Sequence, residues 1–295
     1  MTLQDRPPEV PGAGSPLTRA VLAGPPRLGM VLASFPTALY LSVGEHHEVL
    51  SLLASDALML PTAVRLSAPA RDLVWGVEPG DSVTVGQGQI RLRDWRVRVV
   101  REWRPARVVT VRTLAGPRLL SELADLLSGE VGTPELVDQA AAVCRAARSG
   151  DQAEVRRGTR RLLGAGPGLT PSGDDVACAV LLVLNGIGEI PPVELLADSV
   201  KRHWSRTTSL SASLLDAAGQ GYAVPELAAL IDSALRADLA GVQEALVPTL
   251  AIGHTSGRAL VAGLAGSLRV LSDVNDIRDH TARHDHTRLL QTTGR

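Results

Sequence analysis

The chain has 295 residues, a formal net charge of −1 and only 2% aromatic residues. That length suffices for one large or two ordinary domains with a sizeable core. Balanced charge and scarce aromatics argue against a nucleic-acid partner, which would need a basic surface or base-stacking platforms. Lys201 is the only lysine, so P-loop or Schiff-base chemistry has one carrier and no motif around it. Cys144 and Cys178 lie in apolar helical patterns without close pairing and read as small buried hydrophobes in a reducing compartment. With no secretory h-region and no apolar run long enough for a bilayer, the expectation is a cytoplasmic protein with no membrane partner.

Residues 1–27 are rich in proline and glycine and read as a flexible leader. Leu28 to Val43 suggests two strands, GMVLASF and ALYLSVG, broken at Pro36. Residues 46–57 suit a short helix or a third strand equally. His46 and His47 are adjacent, and on a strand they would face opposite ways, a poor arrangement for sharing a metal. From Leu73 to Arg112 the pattern is β, with turns at Pro79-Gly80-Asp81 and Gly86-Gln87-Gly88. Arginines such as Arg91, Arg93, Arg96 and Arg98 alternate there with Ile90, Leu92, Val97 and Val99. They make either an anion-binding surface or the solvated face that half-buried strands require. Residues 28–115 therefore form a β-rich N-terminal domain.

Residues 116–272 read as a helical domain. LLSELADLL ends at Ser128-Gly129. Thr133 as N-cap with Pro134 at the first helical position opens a helix that runs to Ser149-Gly150. Asp151 and Glu154 form a capping box for the next, which reaches Leu163 and stops at Gly164. Arg157, Arg160 and Arg161 share a face in its last turns. Pro191-Pro192 begins another helix, PELAALIDSALRADLAGVQEALVPTLAIG supplies two more, and RALVAGLAGSLRVL the last. Residues 273–295 read as a disordered tail, although a helical turn would bring His280 and His284 together as metal ligands require. The fold class is thus α+β: a sheet or small barrel followed by a mostly α-helical part.

The functional information concentrates in residues 164–186, GAGPGLTPSGDD followed by VACAVLLVLNG. Gly164, Gly166 and Gly168 permit left-handed backbone and close approach. Ser172 with Asp175 reads as a capping box opening a helix buried all round, and Asn185-Gly186 as its stop. A P-loop fails because Asp174-Asp175 stand where Lys and Ser/Thr belong, and a dinucleotide fingerprint fails because position 169 is Leu. The loop joins helix to helix, unlike the strand-to-helix turn of a nucleotide-binding sheet. Two carboxylates in a first helical turn either cap it, accept hydrogen bonds from an amide or ammonium, hold Mg²⁺, or serve as acid and base. Two further polar turns stand at helix starts. Thr207 and Ser211 are four apart, so on a helix their hydroxyls face one way. In His254-Thr255-Ser256-Gly257, Ser256 or Thr255 suits an N-cap and His254 a donor or base.

These blocks also carry a resemblance. GAGPGLTPSGDD resembles the signature of an uncharacterised-domain family whose best-known member is the H subunit of oxamate carbamoyltransferase. TTSLSASLLDAAG (207–219) and IGHTSG (252–257) are similar to that family, and HEVLSLLASDALMLPTAVRL (47–66) more weakly, so the likeness spans roughly residues 25–272. Departures are Ala165, where members usually have Leu or a similar residue, and Val176, where a bulkier apolar residue is usual. The resemblance implies a subunit of an oxamate carbamoyltransferase-type complex, with other protein subunits as partners. The reaction implied is carbamoyl transfer between carbamoyl phosphate and oxamate or oxalurate, in purine (allantoin) nitrogen catabolism.

The expectation is that the turns at 164–175, 206–211 and 253–257 border one cavity that takes a small, oxygen-rich anion. Asp174, Asp175 and Ser172 are the candidate catalytic residues. Gly166, Gly168, Thr170, Gly173, Arg206, Thr207, Thr208, Ser211, His254, Thr255 and Ser256 are the candidate binding residues. Amides of Gly166, Gly168 and Gly173 would face the oxyanion, Arg206 or Arg160 would anchor phosphate, and Asp174 or Asp175 would orient the attacking amide nitrogen. Two alternatives stand beside it: a non-catalytic subunit that stabilises its partners, and a Mg²⁺-dependent phosphate-handling enzyme using Asp174 and Asp175.

Overall fold

The computed structural model describes residues 8–44 and 48–273; His46, His47, His280, His284 and nearly all of the expected tail lie outside the described residues. Eight strands close into a barrel: β1 (Glu9–Gly14), β2 (Arg27–Phe35), β3 (Ala38–Val43), β4 (Val49–Leu53), β5 (Ala63–Leu66), β6 (Ser82–Gly86), β7 (Gln89–Arg91) and β8 (Arg96–Glu102). Around the barrel the order is β1-β5-β4-β3-β2-β6-β7-β8. β1–β8 and β4–β5 run parallel and the other pairs antiparallel. β2 and β3 form a hairpin across Pro36-Thr37, with Phe35 opposite Ala38.

The leader expected over residues 1–27 is corrected from residue 9 onward. Glu9–Gly14 is the strand that closes the barrel, between β5 and β8. Its glycines are there for contact. A Cβ at Gly12 would lie 2.8 Å from a Val64 methyl, and one at Gly14 3.0 Å from Leu22. A short helix, α1 (Arg19–Ala23), follows and sends Leu22 into the barrel core. A composition that reads as loose chain is here a strand packed too closely for side chains.

Alternation along the strands divides two cores. Leu39, Leu41 and Val43 of β3 and Leu50 and Leu52 of β4 point into the barrel, where they meet Val31, Val64 and Ile90. The barrel interior is therefore a packed core, as eight strands allow. On the opposite face, Ala38, Leu53 and Ala63 belong to the core of the helical part, and Tyr40 packs against it. This shared core is why β4 is buried along its whole length.

After β8 the chain leaves the barrel at Trp103, whose indole N–H donates to Ala63 O. The β pattern expected to continue to Arg112 becomes an extended strap with no sheet partner. Val108, Val111 and Ala115 donate instead to Gly221, Gly186 and Leu235, carbonyls at the ends of helices. Arg107 and Tyr222 make a lone bridge.

The helices are α2 (Pro117–Val131), α3 (Pro134–Ser149), α4 (Gln152–Leu162), α5 (Ser172–Gly186), α6 (Ile190–Arg202), α7 (Ser209–Gly219), α8 (Pro225–Arg236), α9 (Leu239–Leu250) and α10 (256–273). α2 runs past the expected stop at Ser128-Gly129, because Ser128 bonds back to Ala124 O and Gly132, left-handed at φ 63°, ends the helix. α5 is the axis, and from Val176 to Leu184 only Cys178 is not fully buried. α10 crosses it at Gly263, where a Cβ would lie 2.6 Å from that of Ala179. Among the described residues no helix is long and apolar enough to cross a membrane.

Candidate functional site

The glycine-rich loop connects α4 to α5 and folds back over the first turn of α5. Gly164 is left-handed (φ 77°), and a Cβ there would sit 2.0 Å from Arg206 O. A Cβ at Gly173 would sit 2.0 Å from Leu162 O. Both glycines are thus demanded by backbone packed on backbone, where the end of α4, the start of α5 and the turn before α7 meet. Gly166 is required in the same way, its missing Cβ facing Ser172 N at 2.9 Å.

The expected Ser172–Asp175 capping box does not form. Pro171 occupies the N-cap position and contributes no side-chain bond. The first amides of α5 are satisfied by backbone instead: Gly173 N–H donates to Ala165 O, and those of Asp174 and Asp175 to Pro171 O. The Gly173 amide is therefore spent and is no oxyanion donor. The same bonds release the two carboxyls from capping, and they take different roles.

Asp174, 1% exposed, is fully engaged. Its Oδ1 accepts from Gly164 N–H at 2.9 Å and its Oδ2 from the Thr207 hydroxyl. One carboxylate thereby clamps the loop to the turn before α7. Thr207 precedes the helix, so the expected i, i+4 alignment with Ser211 gives way to this bond. Thr208 caps α7 by accepting from Ser211 N–H, and its own hydroxyl donates to Leu169 O. Thr170 and Ser256 share a hydroxyl–hydroxyl bond of 2.8 Å that ties the loop to the start of α10.

Asp175 is different. It is 8% exposed, and its Oδ2 has no hydrogen-bond partner among the described residues. Burial pushes its carboxyl up to about 8, the Asp174 charge adds to the rise, and the Ser256 hydroxyl opposes it. At neutral pH the group is mostly a protonated acid. One turn on, the Cys178 thiol is also raised, by burial and then by the two aspartates.

The three turns do border one cavity, of about 630 Å³. Gly168, Thr170, Asp174, Asp175, Ser211, His254, Thr255 and Ser256 line it; Ser172, Gly166, Gly173, Arg206, Thr207 and Thr208 do not. Gly253, His254 and Thr255 are exposed and form its rim. The expected phosphate anchors Arg206 and Arg160 are exposed and outside the cavity lining, and among the described residues no arginine or lysine borders it.

The rest of the wall was missed from sequence, and it is apolar. The barrel contributes Phe35 and Tyr40 at the ends of the β2–β3 hairpin, in edge contact at 5.9 Å, with Leu58 and Leu60 beyond β4. Leu210, Leu214 and Ile252 come from the helical side. Cys178 was findable, standing three residues after Asp175 on one helix face. Nothing local marks the barrel residues, because only the packing of barrel on helices brings them there.

Mg²⁺ fits poorly. It calls for several oxygens in octahedral array, yet both Asp174 oxygens already accept hydrogen bonds. No group of three metal-ligating side chains exists among the described residues.

A closed barrel, a helical domain built on a buried axis and a junctional cleft bordered by a buried acid define an α+β protein. Within it, residues 162–268, which span all three turns, match the family model described as oxamate carbamoyltransferase subunit AllH. That stretch is AllH-like; the barrel lies outside the match. Comparisons with curated proteins and with solved structures give no match.

Proposed function

We propose that the chain is a subunit of an oxamate carbamoyltransferase-type complex and that its cleft holds the carbamoyl-accepting amide. One observation carries this reading: the three AllH-like turns meet around Asp175, whose Oδ2 is buried and unpartnered. In carbamoyl transfer the amide nitrogen attacks the carbamoyl carbon, loses a proton, and phosphate departs with the electrons of the broken C–O bond. A carboxyl near pH 8 is well placed as general base, because roughly a tenth of it is ionised at pH 7 and its conjugate acid remains a good donor. Asp174 fixes the loop that carries it, and Ser211 supplies a further hydroxyl on the same wall.

The lack of an arginine or lysine at the cavity, among the described residues, bears on the other half of the reaction. A phosphate dianion beside two carboxyls would need a cation, so on this reading a partner subunit supplies that anchor. The same lack favours the second reading, a subunit that stabilises its partners without chemistry of its own. The complex reconstituted with its partner subunits separates the two. Asp175→Asn is expected to cut carbamoyl transfer by about 100-fold or more while assembly is retained. Unchanged turnover would leave the stabilising role.

A further inference from the structure

Charge on the outside of the barrel is unevenly matched. Arg96 and Arg98 pair with Glu9, Arg93 with Asp81 and Arg19 with Glu102. Arg65 and Arg101 make no ion pair among the described residues, although the sheet brings them together. Ala13 of β1 lies opposite Arg65 of β5 on one side and Arg101 of β8 on the other. Directly opposed residues share a face, and Val64 and Leu66 point into the barrel core, so Arg65 and Arg101 point outward. Two strand spacings, about 9.5 Å, separate their backbones, with only the methyl of Ala13 between. Arg65 stacks on Trp103, its Cζ 5.6 Å from the ring centroid, and donates weakly to Ser55 O at 3.5 Å. The two arginines border a groove of about 650 Å³ whose lining also includes Ser55, Ser67, Val100 and Trp103 and shares no residue with the cleft. Glu102 borders it too, but its carboxylate is held by Arg19 through two bonds of 2.6 and 2.7 Å.

We infer that this groove binds the phosphate dianion of a small molecule, gripped between the Arg65 and Arg101 guanidiniums. Two like charges held on one face without a counter-charge repel each other and raise the local potential, and a dianion between them relieves both effects. The planar guanidinium fork matches the oxygens of a phosphate. Stacking on Trp103 already restrains Arg65, so less side-chain freedom is lost when the anion arrives. The Ser55 and Ser67 side chains stand at the rim as hydroxyl donors, while Val100, 58% exposed, offers an apolar surface to whatever carries the phosphate. The site lies on the barrel, outside the AllH-like stretch, and does not depend on the reading of the cleft.

Calorimetric titration of the full chain at pH 7 and low salt with phenyl phosphate, inorganic phosphate and benzoate tests this. Phenyl phosphate is expected to saturate a single site and to bind about tenfold more tightly than benzoate, which has the same ring and half the charge. Inorganic phosphate that binds as well as the ester supports a site for free phosphate. Weaker binding of inorganic phosphate supports a site for a phosphate ester whose body rests on Val100. Arg65→Gln and Arg101→Gln should each weaken phenyl phosphate by about fivefold or more. Arg91→Gln removes the same charge from an exposed position elsewhere on the barrel and should change affinity by less than about twofold. Arg101 is exposed and bonded to no described side chain, so its variant tests the site even if Arg65→Gln disturbs the Trp103 stack. Absence of saturable binding, benzoate equal to phenyl phosphate, binding indifferent to Arg101→Gln, or an equal loss in Arg91→Gln would overturn the inference.

Discussion

Asp175→Asn should make the protein more stable, and the amount follows from the site. The carboxyl titrates at about 8 in the folded protein against an ordinary 3.8. Between those values the unfolded chain gives up its proton while the folded chain retains one. Stability accordingly falls as pH rises, by about 1.4 kcal/mol per pH unit, and levels off above pH 8. Below pH 4 the group is protonated in both states and costs nothing. At pH 7 the accumulated cost is on the order of 4 kcal/mol, and Asn, neutral throughout, escapes it. Urea unfolding of both proteins at intervals from pH 4 to pH 9 gives the difference directly, and groups common to the two cancel. The expected difference is near zero at pH 4, rises in favour of the variant to pH 8, and is flat beyond. A helix-capping Asp behaves oppositely, since its removal costs about 0.5–2 kcal/mol. A variant less stable than the parent at pH 7, or a difference independent of pH, would refute the reading of Asp175 as a buried acid with no cationic partner.

Asp174 should respond in the other direction. Asp174→Ala strips two hydrogen bonds from Gly164 and Thr207 and should cost about 3 kcal/mol in urea unfolding. Gly173→Ala places a methyl 2.0 Å from Leu162 O and should destabilise by well over 3 kcal/mol or prevent soluble expression. Gly132→Ala, left-handed but with nothing within 4 Å, should cost only about 1 kcal/mol; thermal melts of the two variants check the contrast. Cys144, pushed by burial to about 12, and Cys178, raised likewise, should resist an aromatic disulfide reagent at pH 8. Reaction about a thousandfold slower than in urea is expected, set by the scarce thiolate.

Local signals were enough wherever the cause was local. Pro134 and Asp151 mark helix starts because a first turn tolerates proline's missing N–H and needs an acceptor such as the Asp151 carboxylate, whereas the Thr133 hydroxyl, expected as a cap, makes no capping bond. Alternation over Leu28–Val43 marks a hairpin because a strand has two faces. The glycine-rich motif announced its own loop, and hydroxyls at two other helix starts pointed to the same corner. The sequence did not distinguish Asp174 from Asp175. Neighbours in one helical turn point in different directions, and only packing shows that one meets Gly164 and Thr207 while the other is buried at the cavity wall beside Ser256.

Sequence by itself determined the class of fold, the helices and the three turns, because periodicity, caps and glycine act over a few residues. Tertiary structure decided that Glu9–Gly14 is the strand that seals the barrel, a role set by partners far along the chain in β5 and β8. It also decided that the cavity is walled in part by the barrel's outer face, that no arginine or lysine among the described residues borders it, and that Asp175 is buried enough to raise its carboxyl pKa. Those properties depend on which surfaces exclude water from one another. That exclusion exists only once the barrel and the helices have packed together.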